Sequence, residues 1–150
     1  MMSADQPFVR HEGAVVLLML LVGAVATPGL ALYGIRVLVR ARAAASRAMA
    51  LLAASALAWA TTIALYTWGL LHLLMADDYT EDRACGAAVG KQLVGYEPSY
   101  IPLKFDCVSS DGRSVAVIIP SYVNPVLAVL VACAATLTVF AIVRSKEKIT

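Results

Sequence analysis

Residues 48–76 read AMALLAASALAWATTIALYTWGLLHLLMA, 29 consecutive positions without Asp, Glu, Lys or Arg. A hydrocarbon core of about 30 Å needs about 20 apolar residues of helix, and apolar helices buried in soluble proteins are shorter than this. The stretch therefore reads as a membrane span. Two more runs share the property: residues 13–35, 23 positions, and residues 114–143, 30 positions. The third run holds Pro120 and Pro125, so its helix is expected from Pro125, leaving 19 residues up to Val143. At about 1.5 Å of rise per residue that still crosses a bilayer.

Composition agrees. The chain has 150 residues, 61% hydrophobic and 15% charged, with mean hydropathy +0.79. Soluble domains are about 45–50% apolar and about a quarter charged, so a soluble globule and a disordered chain are both excluded. A net charge of +2 without a basic patch gives no reason to expect nucleic acid as a partner. The expected class is an α-helical integral membrane protein with three transmembrane helices and a small disulfide-bridged extracytoplasmic subdomain containing a β-hairpin. Its expected parts are an extracytoplasmic segment (1–12), helix one (13–38), a cytoplasmic Arg-rich link (39–47) and helix two (48–76). The subdomain (77–120, hairpin 99–119), helix three (121–143) and a cytoplasmic tail (144–150) follow. Alanine excess (27 residues) and a preference for Arg over Lys suggest a bacterial source of high GC content.

Lys and Arg set the orientation. Arg36, Arg40, Arg42 and Arg47 lie between spans one and two with no acid among them, and Arg144, Lys146 and Lys148 follow span three against Glu147. Residues 77–113 carry four basic residues and seven acids. Basic residues collect on the cytoplasmic side, so the link and C-terminus face in while the N-terminus and acidic segment face out. This describes a multi-pass protein of the plasma membrane. A cleaved leader is disfavoured, because residues 1–12 are not basic and the first apolar run exceeds the usual 7–15 residues.

The outer segment is too long to be structureless. Ile101, Leu103, Phe105 and Cys107 alternate with Pro102, Lys104 and Asp106, and Val115, Val117 and Ile119 alternate with Ser114, Ala116 and Ile118. Both are period-2 strand patterns, with a hairpin signal at Ser110-Asp111-Gly112 between them. A two-residue loop would pair Phe105 with Ile118 and mix the faces. A three-residue loop with Gly112 left-handed pairs Phe105 with Val117, Leu103 with Ile119 and Cys107 with Val115, and is preferred. Pro102 predicts that the first strand is an edge strand or is interrupted there. A lone hairpin is marginal in water. Cys85 and Cys107, the two cysteines of this segment, are expected to form a structural disulfide pinning residues 82–93, read as a short helix, over the sheet. Cys133 reads as a small packing residue of span three. Asn124 is expected as the N-cap of that span with Pro125 as its first helical residue. Tyr66, Trp68, His72 and Tyr122 suit the outer aromatic belt and Tyr33 the inner one; Trp59 lies deeper, where packing is expected.

Ala50, Ala54, Ala58 and Thr62 recur at steps of four, as do Ala56, Ala60 and Ala64, and span three offers Ala128, Ala132 and Thr136. Small residues so spaced let membrane helices approach closely. No span carries Asp, Glu, Lys or Arg in its middle, where such groups mark proton and ion pathways, and no nucleotide, hydrolase or zinc signature occurs. His72 with Asp77, Asp78, Glu81 and Asp82 is the one cluster of ligand-type side chains, and without ordered loop spacing it reads as a solvated acidic face. No enzyme activity, cofactor or metal is expected. The partners expected are the lipid bilayer and a membrane protein or a second copy. The leading expectation is an accessory or structural subunit of a larger membrane complex. The alternative is a membrane-anchored extracytoplasmic ligand-binding or sensing module. An oligomeric pore or transporter component, with Thr61, Thr62, Thr136 and Thr138 along a polar seam, ranks below both. A membrane-impermeant thiol reagent applied to intact cells should label a cysteine introduced at Asp77 and spare one at Arg42; the reverse pattern inverts the topology.

Overall fold

The computed structural model describes residues 12–76 and 78–147. Expectations placed on residues 1–11, on Asp77 and on Lys148 lie outside the described residues. Three helices are long and apolar enough to cross a membrane: α1 (Gly13–Ala43), α2 (Arg47–Met75) and α4 (Val123–Glu147). Between α2 and α4 come α3 (Asp78–Val89), a short 3-10 turn (Gly90–Gln92), β1 (Leu93–Tyr100), β2 (Leu103–Ser109) and β3 (Ser114–Ala116). The chain divides into two compact units, Met1–Leu20 with Trp68–Asn124, and Leu21–Thr67 with Pro125–Thr150.

In the second unit, α1 outlasts its apolar run by eight residues, from Ile35 to Ala43, so the helix is longer than the 13–38 expected and the link shorter than 39–47. Arginine is a good helix former and cations suit a helix C-terminus, so Arg36, Arg40 and Arg42 end the hydrophobic stripe without ending the helix. The connection is Ala44, Ala45 and Ser46. The Ser46 N–H donates to the Ala41 carbonyl at 3.0 Å and the Ala45 N–H to that of Arg42 at 3.3 Å, the paired bonds of a Schellman ending. Ala45 has φ 47°, a left-handed position usually filled by glycine. Ser46 then serves α2, its Oγ accepting from the Met49 N–H at 3.5 Å, an N-cap at the limit of its geometry.

In the first unit the sheet order is β1-β2-β3, antiparallel throughout. Cys107 pairs with Val115, and the Val117 N–H donates to the Phe105 carbonyl at 3.4 Å, which is the register of the three-residue loop. Gly112 has φ +80° and its N–H closes the turn onto Ser109 at 2.9 Å. The pairing ends there; Leu103 does not pair with Ile119. The expected hairpin is two strands of a three-stranded sheet. β1 pairs along β2 from Tyr100↔Leu103 to Leu93↔Ser109, with a bulge between Leu93 and Gly95. β2 is therefore central rather than an edge, and Pro102, in a cis peptide after Ile101, lies in the β1–β2 turn. The proline that sits in a strand is Pro98, on the edge strand β1, where a missing N–H is tolerated.

One sheet face carries Leu103, Phe105, Cys107 and Tyr96, all buried; the other carries Lys104, Asp106 and Glu97. The helix α3 starts at Asp78, ahead of the 82–93 expected, and is tied to the apolar face. Cys85 and Cys107 form a disulfide with Cα atoms 5.6 Å apart, and the Tyr96 hydroxyl donates to Asp82. The Tyr96 and Phe105 rings lie 5.2 Å apart. α4 begins at Val123 and runs to Glu147, past the expected 121–143.

Two stability changes follow. With a sequence separation of 22, opening the disulfide by Cys85→Ser should cost about 3 kcal/mol, read as faster proteolysis of the 77–120 segment; unchanged resistance rejects a structural bridge. Ala45→Gly removes the left-handed penalty of a Cβ and should stabilise by about 1 kcal/mol net of glycine's unfolded-state entropy, raising the thermal midpoint in detergent. An unchanged or lower midpoint refutes the strained cap.

Candidate functional site

In the first unit, the chain reaches α4 through a junction at Leu103. The Asn124 Oδ1 accepts from the Leu103 N–H at 3.1 Å and Asn124 Nδ2 donates to the Leu103 carbonyl at 2.8 Å. Asn124 is thus not an N-cap; its carboxamide occupies the ladder position expected for Ile119. The Leu103 side chain is buried, against Gly69 of α2 and beside Val123: a Cβ on Gly69 would stand 2.7 Å from Leu103 Cδ2 and 3.3 Å from Val123 Cγ1. A side chain at position 69 would force Leu103 Cδ2 to shift.

Beside it lies a cavity of about 450 Å³, lined by Trp68, Leu71, His72 and Met75 of α2, Thr80 and Ala84 of α3, and Val117 and Ile118. His72 Nδ1 sits 2.9 Å from the Trp68 carbonyl, and the two rings meet edge-on at 5.0 Å. A carbonyl only accepts, so Nδ1 carries a proton in this contact. The size suits a small ligand and the lining is mainly apolar, as such sites are. The chemistry available is that of holding a largely apolar molecule, with His72 and Thr80 the polar side chains of the lining. Among the described residues no three His, Cys, Asp or Glu side chains are grouped to hold a metal.

The charged sheet face is internally matched. The Lys104 ammonium lies 2.9 Å from Asp106 and 3.8 Å from Glu97; the Asp106 hydrogen bond holds the lysine pKa above its ordinary value. At the β2–β3 turn, a hydrogen bond from Ser109, with Arg113 nearby, holds Asp111 below the usual carboxylate range. The disulfide sulfurs belong to residues with 0% exposure, which closes them to exchange with a partner thiol.

In the second unit the small residues do not all serve one surface. On α2, Ala53, Ala56, Ala60 and Thr62 are buried, while Ala50, Ala54, Ala58 and Ala64 are half-buried. Gly34 of α1, overlooked in the sequence, faces that helix: a Cβ there would stand 2.9 Å from Leu57 Cγ and 3.3 Å from the Ala53 carbonyl. The eleven-residue step from Gly23 to Gly34, both buried, was the available signal, since three turns return to one face. On α4 the row Ala128, Ala132 and Thr136 is exposed in the chain taken alone; Ala134 and Ala141 are buried instead, with Thr138 between them. Ser55 Oγ lies 2.8 Å and Trp59 Nε1 3.2 Å from Thr138 Oγ1, which itself donates to the Ala134 carbonyl at 2.7 Å. One hydroxyl proton and two lone pairs are then fully used, which makes Ser55 the donor. This accounts for Trp59. The proposed threonine seam is dispersed: Thr61 and Thr136 are exposed and Thr62 is buried, and each donates to the carbonyl four residues back.

Arg36, Arg40, Arg42, Arg47, Arg144 and Lys146 are all exposed. Ala48, Met49 and Leu52 at the start of α2 share a small cavity with Ala141, Ile142 and Ser145 near the end of α4, so the link and the α4 terminus occupy one end of this unit. Comparison with protein-family models, with curated proteins and with solved structures finds no match for the chain.

Proposed function

We propose that the chain is a small non-catalytic plasma-membrane protein, an accessory or structural subunit that docks on a larger membrane complex through its helices and presents an extracytoplasmic partner-binding subdomain. The observation that carries this reading is the exposed row Ala128, Ala132 and Thr136, a close-approach surface that the chain's own packing, through Ala134, Thr138 and Ala141, leaves uncovered. Within the most apolar 18-residue stretches of α1 and α4 only 11% of residues are buried, leaving ample apolar surface for partner helices as well as lipid. The orientation, with the link and α4 terminus cytoplasmic, is supported by the six exposed cations gathered at one end of the second unit.

A second reading is favoured by the cavity at His72: a membrane-anchored module that binds an apolar ligand there. Purification in a mild detergent decides between them. The subunit reading expects partner polypeptides in stoichiometric amount, reduced several-fold by Ala128→Leu with Ala132→Leu, whose bulk blocks close approach. Recovery as a lone monomer, or recovery unaffected by the leucines, overturns it.

A further inference from the structure

We propose that the β1–β2 turn, Ile101-Pro102, is a lipid-inserted tip that seats the sheet on the bilayer surface. Ile101 is 89% exposed, the highest exposure among the large apolar side chains of the described residues, and Pro102 is exposed beside it. A branched apolar side chain so placed at a hairpin tip is costly in water, at about 25 cal/mol per Å² of apolar surface.

The place of this turn is fixed by the membrane-spanning helices themselves. Leu103, the residue after Pro102, is held through both its backbone groups by Asn124 at the start of α4, and through its side chain between Gly69 of α2 and Val123. The turn is therefore anchored where two membrane spans begin or end. The same level carries Trp68, 49% exposed, and Tyr122, 52% exposed, residue types that concentrate at the membrane–water interface. Lipid is the occupant because Trp68 and Tyr122 are residue types of the membrane–water interface and accompany the exposed Ile101 near the ends of α2 and α4.

Polarity along the sheet agrees. From Pro98 to Leu103 there is no charged residue, whereas the turn at the other end of β2 carries Asp111 and Arg113, an ion pair at 3.5 Å. Seven residues of β2 at about 3.3 Å each separate the two turns by about 20 Å. The hairpin is thus amphipathic along its length: apolar tip in lipid, Lys104 at headgroup level, charged turn in water.

The test places a nitroxide on Ile101→Cys, Ser110→Cys or Val129→Cys, each with Cys133→Ser and the native disulfide intact, in vesicles of palmitoyl-oleoyl phosphatidylcholine. Collision with oxygen, which concentrates in lipid, is compared with collision with a water-soluble nickel chelate. The proposal expects an oxygen-to-nickel ratio at position 101 several-fold above that at 110 and approaching that at 129, a lipid-facing site of α4. A ratio at 101 equal to that at 110, or a label shielded from both reagents as under a protein partner, overturns it while 129 stays lipid-like. A water-like 129 would remove the membrane spans and the proposal together.

Discussion

The apolar surface of α1, α2 and α4 has to be solvated by something other than water. Val25 is 74% exposed, Leu18 62% and Val129 63%, and the buried share of the most apolar 18-residue stretch of each helix is 11%, 28% and 11%. In water such a chain would forgo the main favourable term of folding; in hydrocarbon the same surface costs nothing. The consequence runs through the helices. Lipid offers no hydrogen bonds, so a polar side chain in a span gains from a partner within the protein, although Thr27 Oγ1 of α1 is buried without one. Thr61, Thr62, Thr67 and Thr136 each return a proton to their own helix, and Ser55, Trp59 and Thr138 satisfy one another. Association then rests on close approach rather than on hydrophobic drive, which is why Gly34 against Leu57 matters more than any large side chain on α1.

The sheet subdomain has the opposite difficulty. It is too small for its core to hold it alone, and the large fully buried side chains of its unit are few: Phe105, Leu70, Leu103, Val123 and the two disulfide cysteines. Specific links stand in for area. The disulfide fastens α3 to β2, the Tyr96–Asp82 hydrogen bond fastens α3 to β1, and Asn124 fastens β2 to the start of α4. Because Cys85 and Cys107 are wholly buried, the bridge acts as a staple and not a redox switch.

Much of this was legible in the residues because it depends on short-range rules. Span number follows from run length, and the β2–β3 register follows from Gly112 together with the need to keep Phe105, Cys107 and Val115 on one side. The failures share a cause: they turn on which group competes for a partner, and spacing does not reveal that. Asn124-Pro125 looks like a helix start, yet the carboxamide goes to a strand. β1 was hidden because Gly95 and Pro98 are residue types depleted in strands, although Tyr96, Pro98 and Tyr100 keep the alternation against Glu97 and Ser99. On α4 the rows Ala128-Ala132-Thr136 and Ala134-Thr138-Ala141 are similarly spaced, and only packing shows which of them the chain itself covers. The cavity at His72 is assembled from α2, α3 and the residues after β3, so no local pattern announces it.

Asn124 shows how closely these levels are joined. In an antiparallel ladder alternate residues point their backbone groups to alternate neighbours. Ser109, Cys107 and Phe105 face β3, and Leu103 is the next in that series. β3 ends at Ala116, so Leu103 would be left with an orphan donor and an orphan acceptor beside the apolar start of α4, a cost of about 1–3 kcal/mol for each group. A carboxamide offers one donor face and one acceptor in the geometry of a peptide group; aspartate would accept only, and leucine would do neither. Sliding β2 by one residue would turn Leu103 toward β1 and strand Asn124 in the same step. Sheet register and helix start are therefore a single constraint, and the turn at Ile101-Pro102 is held in place by it.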